Sequence, residues 1–204
     1  MLQTLLSFII ATLVLAFSPG PDNIFVITQS IVYGKKYGLA TVCGLMTGCI
    51  MHTSIVAFGV SEIIKNNETI FFTIKILGAC YLLFLAYKVF KGGSEITINT
   101  KAVQKKSVKQ LFFTGFWMNV LNPKVTLFFL AFFPSFLFSD VLASVYQFYI
   151  LGFIFILVSF SVFSSLALLS GSITTKIKEQ GKIGKYLKWM QIIVFVSIAL
   201  LIFM

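Results

Sequence analysis

Inside a long apolar run that opens at Leu2, the stretch Ser18-Pro19-Gly20-Pro21-Asp22-Asn23 sets two prolines one residue apart and a carboxylate where a membrane helix should hold none. Each proline removes a backbone donor and collides with the carbonyl four residues back, here those of Leu15 and Phe17. A helix cannot continue through this stretch. In hydrocarbon the freed backbone groups are costly unless protein, water or a ligand satisfies them, so a break at this depth is expected to line a cavity. The chain is expected to restart with Gly20 as cap and Pro21 at the first helical position, where its missing N–H is harmless. The new helix then offers free N–H groups, and Asp22, to that cavity.

The same device recurs at Asn119-Val120-Leu121-Asn122-Pro123-Lys124. Asn122 is a good cap, Pro123 takes the first helical position, and Lys124 stands where Asp22 stood. Pro21 to Pro123, and Asp22 to Lys124, are offsets of 102 residues, half of the 204-residue chain. This points to an internal duplication: repeats over about 1–91 and about 110–204, joined by a linker over about 92–109, in one transmembrane domain. The claim rests on matching breaks and equal numbers of spans, since the halves share little other sequence.

Hydrophobic residues make up 58% of the chain and charged residues only 11%, with a mean hydropathy of +0.99. A soluble domain carries roughly a quarter charged residues, so this composition implies an integral membrane protein. Apolar spans are expected at about 39–60, 70–90, 111–138 with its own break, 145–169 and 186–203, besides the first, broken span from Leu2 to Tyr33. Each is near or above the ~20 residues needed to cross a bilayer. Six spans make two sets of three, so the second set enters from the opposite side. The expected fold is all-α: six transmembrane helices as two inverted three-helix repeats, with helices 1 and 4 broken at proline. The N-terminal run has the apolar core of a signal peptide but neither a basic n-region nor an A-x-A cleavage site, so it is expected to stay as the first span.

All 16 cations are lysines, and the formal net charge is +10. In a soluble chain that would suggest nucleic acid; here no basic face joins an aromatic platform outside the apolar runs, and topology explains the excess better. Thirteen of the lysines fall in the first, third and fifth connections, including Lys35, Lys36, Lys88, Lys91, Lys106 and Lys188. Lys65 and Lys75 lie on the other side with Glu62, Glu68 and Asp140. The positive-inside rule then places the lysine-rich loops in the cytoplasm and both termini outside. At 1.5 Å per residue, Asn23 lies about 16 Å from the cytoplasmic end of its span and Asn122 about 18 Å from the end of its own. The two breaks share a depth, and Asp22 and Lys124 are placed to meet there.

An ionised side chain at mid-membrane costs about 2.5 to 3.5 kcal/mol on insertion scales and marks a pathway or a pair. Two half-helix N-termini attract a carboxylate, Lys124 adds full charge, and Asp22 takes an ammonium. A small cavity with an anion end and a cation end fits a zwitterion. Pro19, Gly20, Pro21, Asp22 and Asn23 of the first break, with Asn119, Asn122, Pro123 and Lys124 of the second, are the candidate substrate-binding residues; the alternative for Asp22 and Lys124 is a structural ion pair. In span two Ala40, Gly44, Gly48 and His52 recur every four residues. Gly44 and Gly48 are read as helix packing, within the bundle or toward a second copy in a homodimer. His52, the only histidine, is a proton-relay candidate with Asp22, against the plainer reading of a neutral hydrogen-bonded ring. Ser161, Ser164 and Ser165 make a short polar patch on span five, read as packing with lining of the route as the alternative. Phe128, Phe129, Phe132 and Phe133 are read as lipid-facing or core. Cys43, Cys49 and Cys80 read as small buried hydrophobes; no disulfide framework, metal site or cofactor is implied.

These residues resemble the LysE/RhtB family of amino-acid exporters. The likeness runs through Pro19-Gly20-Pro21-Asp22-Asn23, the glycine-spaced span from Gly34 through Gly38, Gly44 and Gly48 to His52, Leu77-Gly78-Ala79-Cys80-Tyr81 to Lys88, and Asn119 with Asn122-Pro123-Lys124 followed by Phe128-Phe129 and Phe133-Pro134-Ser135-Phe136. It covers most of the chain in order. The resemblance implies export of amino acids or their derivatives across the bacterial inner membrane, driven by the proton gradient. It leaves the substrate open, because members choosing lysine, threonine, homoserine or leucine share these motifs. Two other classes fit the sequence less well. An exporter of heavy-metal or other inorganic ions predicts thiolates or carboxylates clustered at the breaks, and a membrane thiol-disulfide carrier predicts cysteines beside the prolines; the sequence has neither.

Overall fold

The computed structural model describes residues 1–18, 20–60, 67–92, 106–172 and 183–203, and every regular element among them is helical. Pro19, most of the expected linker (93–105), Glu62, Lys65, Lys101, Lys105, Lys176, Lys178 and Lys182 lie outside the described residues. Helix α1 spans Leu2–Phe17 and α2 Pro21–Tyr33. Helix α3, Lys35–Ile55, runs on through a wider π turn at Val56–Val60, and α4 covers Glu68–Lys91. In the second half α5 is Val108–Val120, and α6, Pro123–Leu127, continues as a π turn (Phe128–Phe132) and a 3₁₀ turn (Phe133–Phe136). Helix α7 is Ser144–Leu168 and α8 Ile183–Leu201.

Local chemistry sets the ends of these helices. Ser107 and Gln110 form a reciprocal capping box that opens α5. The Asn67 side chain caps α4, which closes at Gly92 with Lys88 and Lys91 in its last turn, where they complement the helix dipole. Between α2 and α3 only Gly34 intervenes, at φ +101°, a conformation that side chains rarely adopt. Lys35 and Lys36, expected in a loop, therefore already begin α3.

Residues 35–59, 68–91, 144–168 and 184–201 are long and apolar enough to cross a bilayer. The pairs α1/α2, bent by 60°, and α5/α6, bent by 49°, bring the total to six when each is one span. This is an all-helical integral membrane protein. Helix α3 packs along α5, α1 against α7, α4 against α8, and α3 against α7. Exchanging the two halves of the chain turns the α3/α5 pair into α7/α1 and leaves the other two pairs unchanged.

The core is aromatic. Phe8, Phe128, Phe129, Phe132, Phe133 and Phe148 are fully buried, so the phenylalanines of the second break face the interior and not lipid. Phe129 stacks on Phe133 at 4.1 Å, Phe155 meets Phe129 at 4.9 Å, and Phe8 of α1 meets Phe133 at 5.0 Å. Of the three cysteines expected inside, only Cys49 is buried; Cys43 and Cys80 are exposed. Their positions turn away from the neighbouring helices, a distinction that an apolar span does not reveal.

Glycine sets the tightest contact. A Cβ on Gly44 would fall on the Phe112 carbonyl of α5, and one on Gly115 of α5 would fall on the Thr41 carbonyl of α3. One step along, a Cβ on Gly48 would lie 2.7 Å from Asn119 Oδ1. Helices α3 and α5 thus meet backbone to backbone, which small residues at four-residue spacing permit. Gly44→Val and Gly115→Val should each destabilise the protein beyond the ~1–3 kcal/mol of ordinary overpacking, because backbone cannot yield as a side chain does. Loss of monodisperse protein in detergent would register this. Gly59→Ala, where nothing lies within 4 Å, should match the parent.

Candidate functional site

Where the two breaks approach each other, carbonyls left without a helical partner at the breaks are taken up largely by side chains. Pro123 has no N–H to offer the Asn119 carbonyl four residues back. That carbonyl instead accepts from the Asn122 backbone N–H at 3.0 Å and from His52 Nε2 at 3.2 Å. Since a carbonyl only accepts, the proton of a neutral His52 must sit on Nε2. At the first break the Ala16 carbonyl accepts from Asn23 Nδ2 at 2.9 Å, and the Ser18 carbonyl from Lys124 Nζ at 3.4 Å.

Asn122 joins the charged residues of the two breaks. Its Nδ2 donates to Asp22 Oδ2 at 2.7 Å, while its Oδ1 accepts from the Lys124 backbone N–H at 3.0 Å and so caps α6. Asp22 and Lys124 face the same cavity without an ion pair within 4.0 Å. The Lys124 ammonium instead lies 5.4 Å from the centre of the Phe195 ring, a cation–π distance. The two N-termini differ in consequence. Helix α6 has a side-chain cap, whereas α2 begins at Gly20 and Pro21 without one. The first N–H groups of α2 keep their positive end of the dipole free for an anion.

The breaks line a cavity of about 400 Å³, within the range of small-molecule sites. Gly20, Pro21, Asp22, Asn23, Asn119, Asn122, Pro123 and Lys124, singled out from sequence, all lie on its wall. Most of the remaining wall is apolar, from Leu45 and Met46 of α3, Leu85 and Val89 of α4, and Phe155 and Phe163 of α7. The wall also includes Tyr81 and the exposed Lys88 of α4 and Gln191 of α8. His52 is not on the wall. It is buried behind Asn119, its ring 5.4 Å from that of Phe129.

Sequence reading missed Ser159, Tyr81 and Gln191 on this wall. Their spans carry no break, and the face that a helix turns inward is set by its neighbours. Span five offered Ser161, Ser164 and Ser165 instead, none of which lines the cavity; Ser161 and Ser165 bond back to the carbonyls of Leu157 and Ser161. Gly44 and Gly48 pack against α5 within the bundle.

Known proteins place this arrangement. The sequence model of the LysE type translocator family matches residues 13–204. The uncharacterized membrane protein YrhP of Bacillus subtilis (strain 168) is 32% identical over 144 residues, 67% of this chain and 69% of that protein. The homoserine/homoserine lactone efflux protein of Salmonella typhimurium is 30% identical over 172 residues, 84% of this chain and 82% of its own length. No solved structure matches. With a match that spans nearly the whole chain and relatives aligned over most of their own length, the protein belongs to the LysE type translocator family of membrane transporters.

Proposed function

We propose that this protein exports amino acids or amino-acid derivatives from the bacterial cytoplasm by alternating access, with protons moving inward. The observation that carries the reading is the polar pole of the cavity, where Asp22, Lys124 and the uncapped N-terminus of α2 face one space. Asp22 takes the substrate ammonium. The first N–H groups of α2 and the Lys124 ammonium take its carboxylate. Asn122 holds Asp22 in position and keeps α6 capped while substrates come and go. Homology to efflux proteins named for homoserine and its lactone supports an amino-acid cargo.

Direction follows from charge. The cavity reaches Lys88, on the side where the lysines concentrate, so the positive-inside rule makes this the cytoplasmic mouth. Beyond its other flank Phe155 joins the cluster of Phe129 and Phe133, which serves as the outward seal. The exchange of α3/α5 with α7/α1 supports two inverted repeats, over about 1–91 and 110–204, as the moving units. Asp22 is the proton-carrying group best placed to alternate with substrate. His52 acts on it through the Asn119 carbonyl and the Asn122 amide, not by contact.

Cells fed dipeptides should release one or a few amino acids faster with the intact protein than without it. Asp22→Asn and Lys124→Ala should each lower that efflux by about tenfold or more, the scale of one charge-assisted hydrogen bond. Parent-like efflux from both variants would remove the breaks from the site, and no released amino acid at all would overturn the cargo. In proteoliposomes a protonophore should abolish uphill transport while sparing exchange at equal pH; insensitivity to it would end the proton coupling. Tags at the two termini should both be open to protease added outside intact spheroplasts, and protection of either would overturn the orientation.

A further inference from the structure

Most serines and threonines in these helices share one habit. Thr12, Thr41, Thr53, Thr126, Ser161 and Ser165 each donate to the carbonyl four residues back, which removes the hydroxyl from contention for anything else. Ser159, like Ser30 and Ser164 away from the cavity, departs from it. Only 2% exposed, it lies on the cavity wall and its Oγ has no partner. It is also the only serine on that wall among the described residues, set between Phe155 and Phe163 on the face of α7 that meets the cavity. An isolated hydroxyl without a partner in an apolar stripe gains nothing for folding, since alanine would fit the same space and leave no group unsatisfied.

The position of this hydroxyl separates it from the charged pole. Asp22, Asn122 and Lys124 are contributed by the broken helices and hold one another. Ser159 comes from the unbroken α7, among phenylalanines and without a neighbouring charge on its own face of the wall. A hydroxyl both donates and accepts, so it suits an uncharged hydrogen-bonding group, whereas an ionised one would find no counter-charge on that face.

We propose that Ser159 is a specificity-determining residue, whose hydroxyl reads a hydrogen-bonding group on the side chain of the transported amino acid while Phe155 and Phe163 enclose that side chain. The assignment rests on the reading that the breaks hold the zwitterionic head. It makes substrates with a side-chain hydroxyl better cargo than apolar ones of equal size.

The test is a selectivity ratio measured on the full-length protein in proteoliposomes, with threonine against valine and homoserine against norvaline as isosteric pairs. The parent protein should prefer the hydroxylated member of each pair by about tenfold, the factor that one neutral hydrogen bond with a satisfied partner supplies. Ser159→Ala should bring both ratios close to one while valine still moves, which also certifies a folded transporter. Ser159→Thr, which keeps the hydroxyl, should retain most of the preference. Equal ratios in the parent and Ser159→Ala, or no preference in the parent, would overturn the assignment and leave the amino-acid reading intact. Should the parent move neither pair nor any other zwitterion, both fall together.

Discussion

Two proline breaks within apolar spans leave carbonyls that a bilayer cannot satisfy, and the contacts between the two halves take up those carbonyls. Each half supplies the other. His52 of the first half donates to the Asn119 carbonyl of the second, and Lys124 of the second reaches the Ser18 carbonyl of the first. Asn122 of the second half holds Asp22 of the first. An unsatisfied buried acceptor costs about 1–3 kcal/mol, so neither set of three spans is complete alone. The polar centre is thus both the seam of the fold and the floor of its cavity.

Much of this was legible because broken helices announce themselves. Pro21 and Pro123, the caps Gly20 and Asn122, and the equal offset to Asp22 and Lys124 gave the breaks and their common depth directly from local rules. Eight of the nine residues singled out at the breaks lie on the cavity wall, and the ninth, Pro19, is outside the described residues. What sequence did not reveal is orientation around unbroken helices. Ser159 and Ser161 are two residues apart on one apolar span, yet one lines the cavity and the other bonds back to its own helix. Cys43 and Cys80 turn outward for the same reason. In a membrane helix both faces are apolar, so the periodicity that betrays the buried face of a soluble helix is weak.

The link between Asp22 and Lys124 illustrates a second limit. Depth and charge placed them together, and a direct ion pair was the simplest outcome. Instead one amide stands between them, bound to the Asp22 carboxylate on one side and to the backbone of Lys124 on the other. For a transporter the difference matters. On the proposed reading of the site, a closed ion pair would have to be broken by every arriving zwitterion, at a cost that its own charges barely recover in a low-dielectric site. The amide holds the Asp22 carboxylate and caps the helix end, while the Lys124 ammonium stays separate at the Ser18 carbonyl and the Phe195 ring.

The packing also constrains how such a chain can move. The α3/α5 contact is backbone on backbone at Gly44 and Gly115, whereas its counterpart under exchange of the halves, α7 with α1, is less extensive. Under the alternating-access cycle proposed for this chain, two interfaces equivalent by topology but unequal in closeness would exchange roles between the two states. In that cycle, glycine at the tight interface would let it open and reclose without side chains having to repack. The breaks lie between the interfaces, at the one depth where the chain is already bent and its backbone groups are held by side chains of the other half. In the proposed cycle, movement of either half would pull on Asp22 and Asn122 and so tie the state of the cavity to whatever the carboxylate holds.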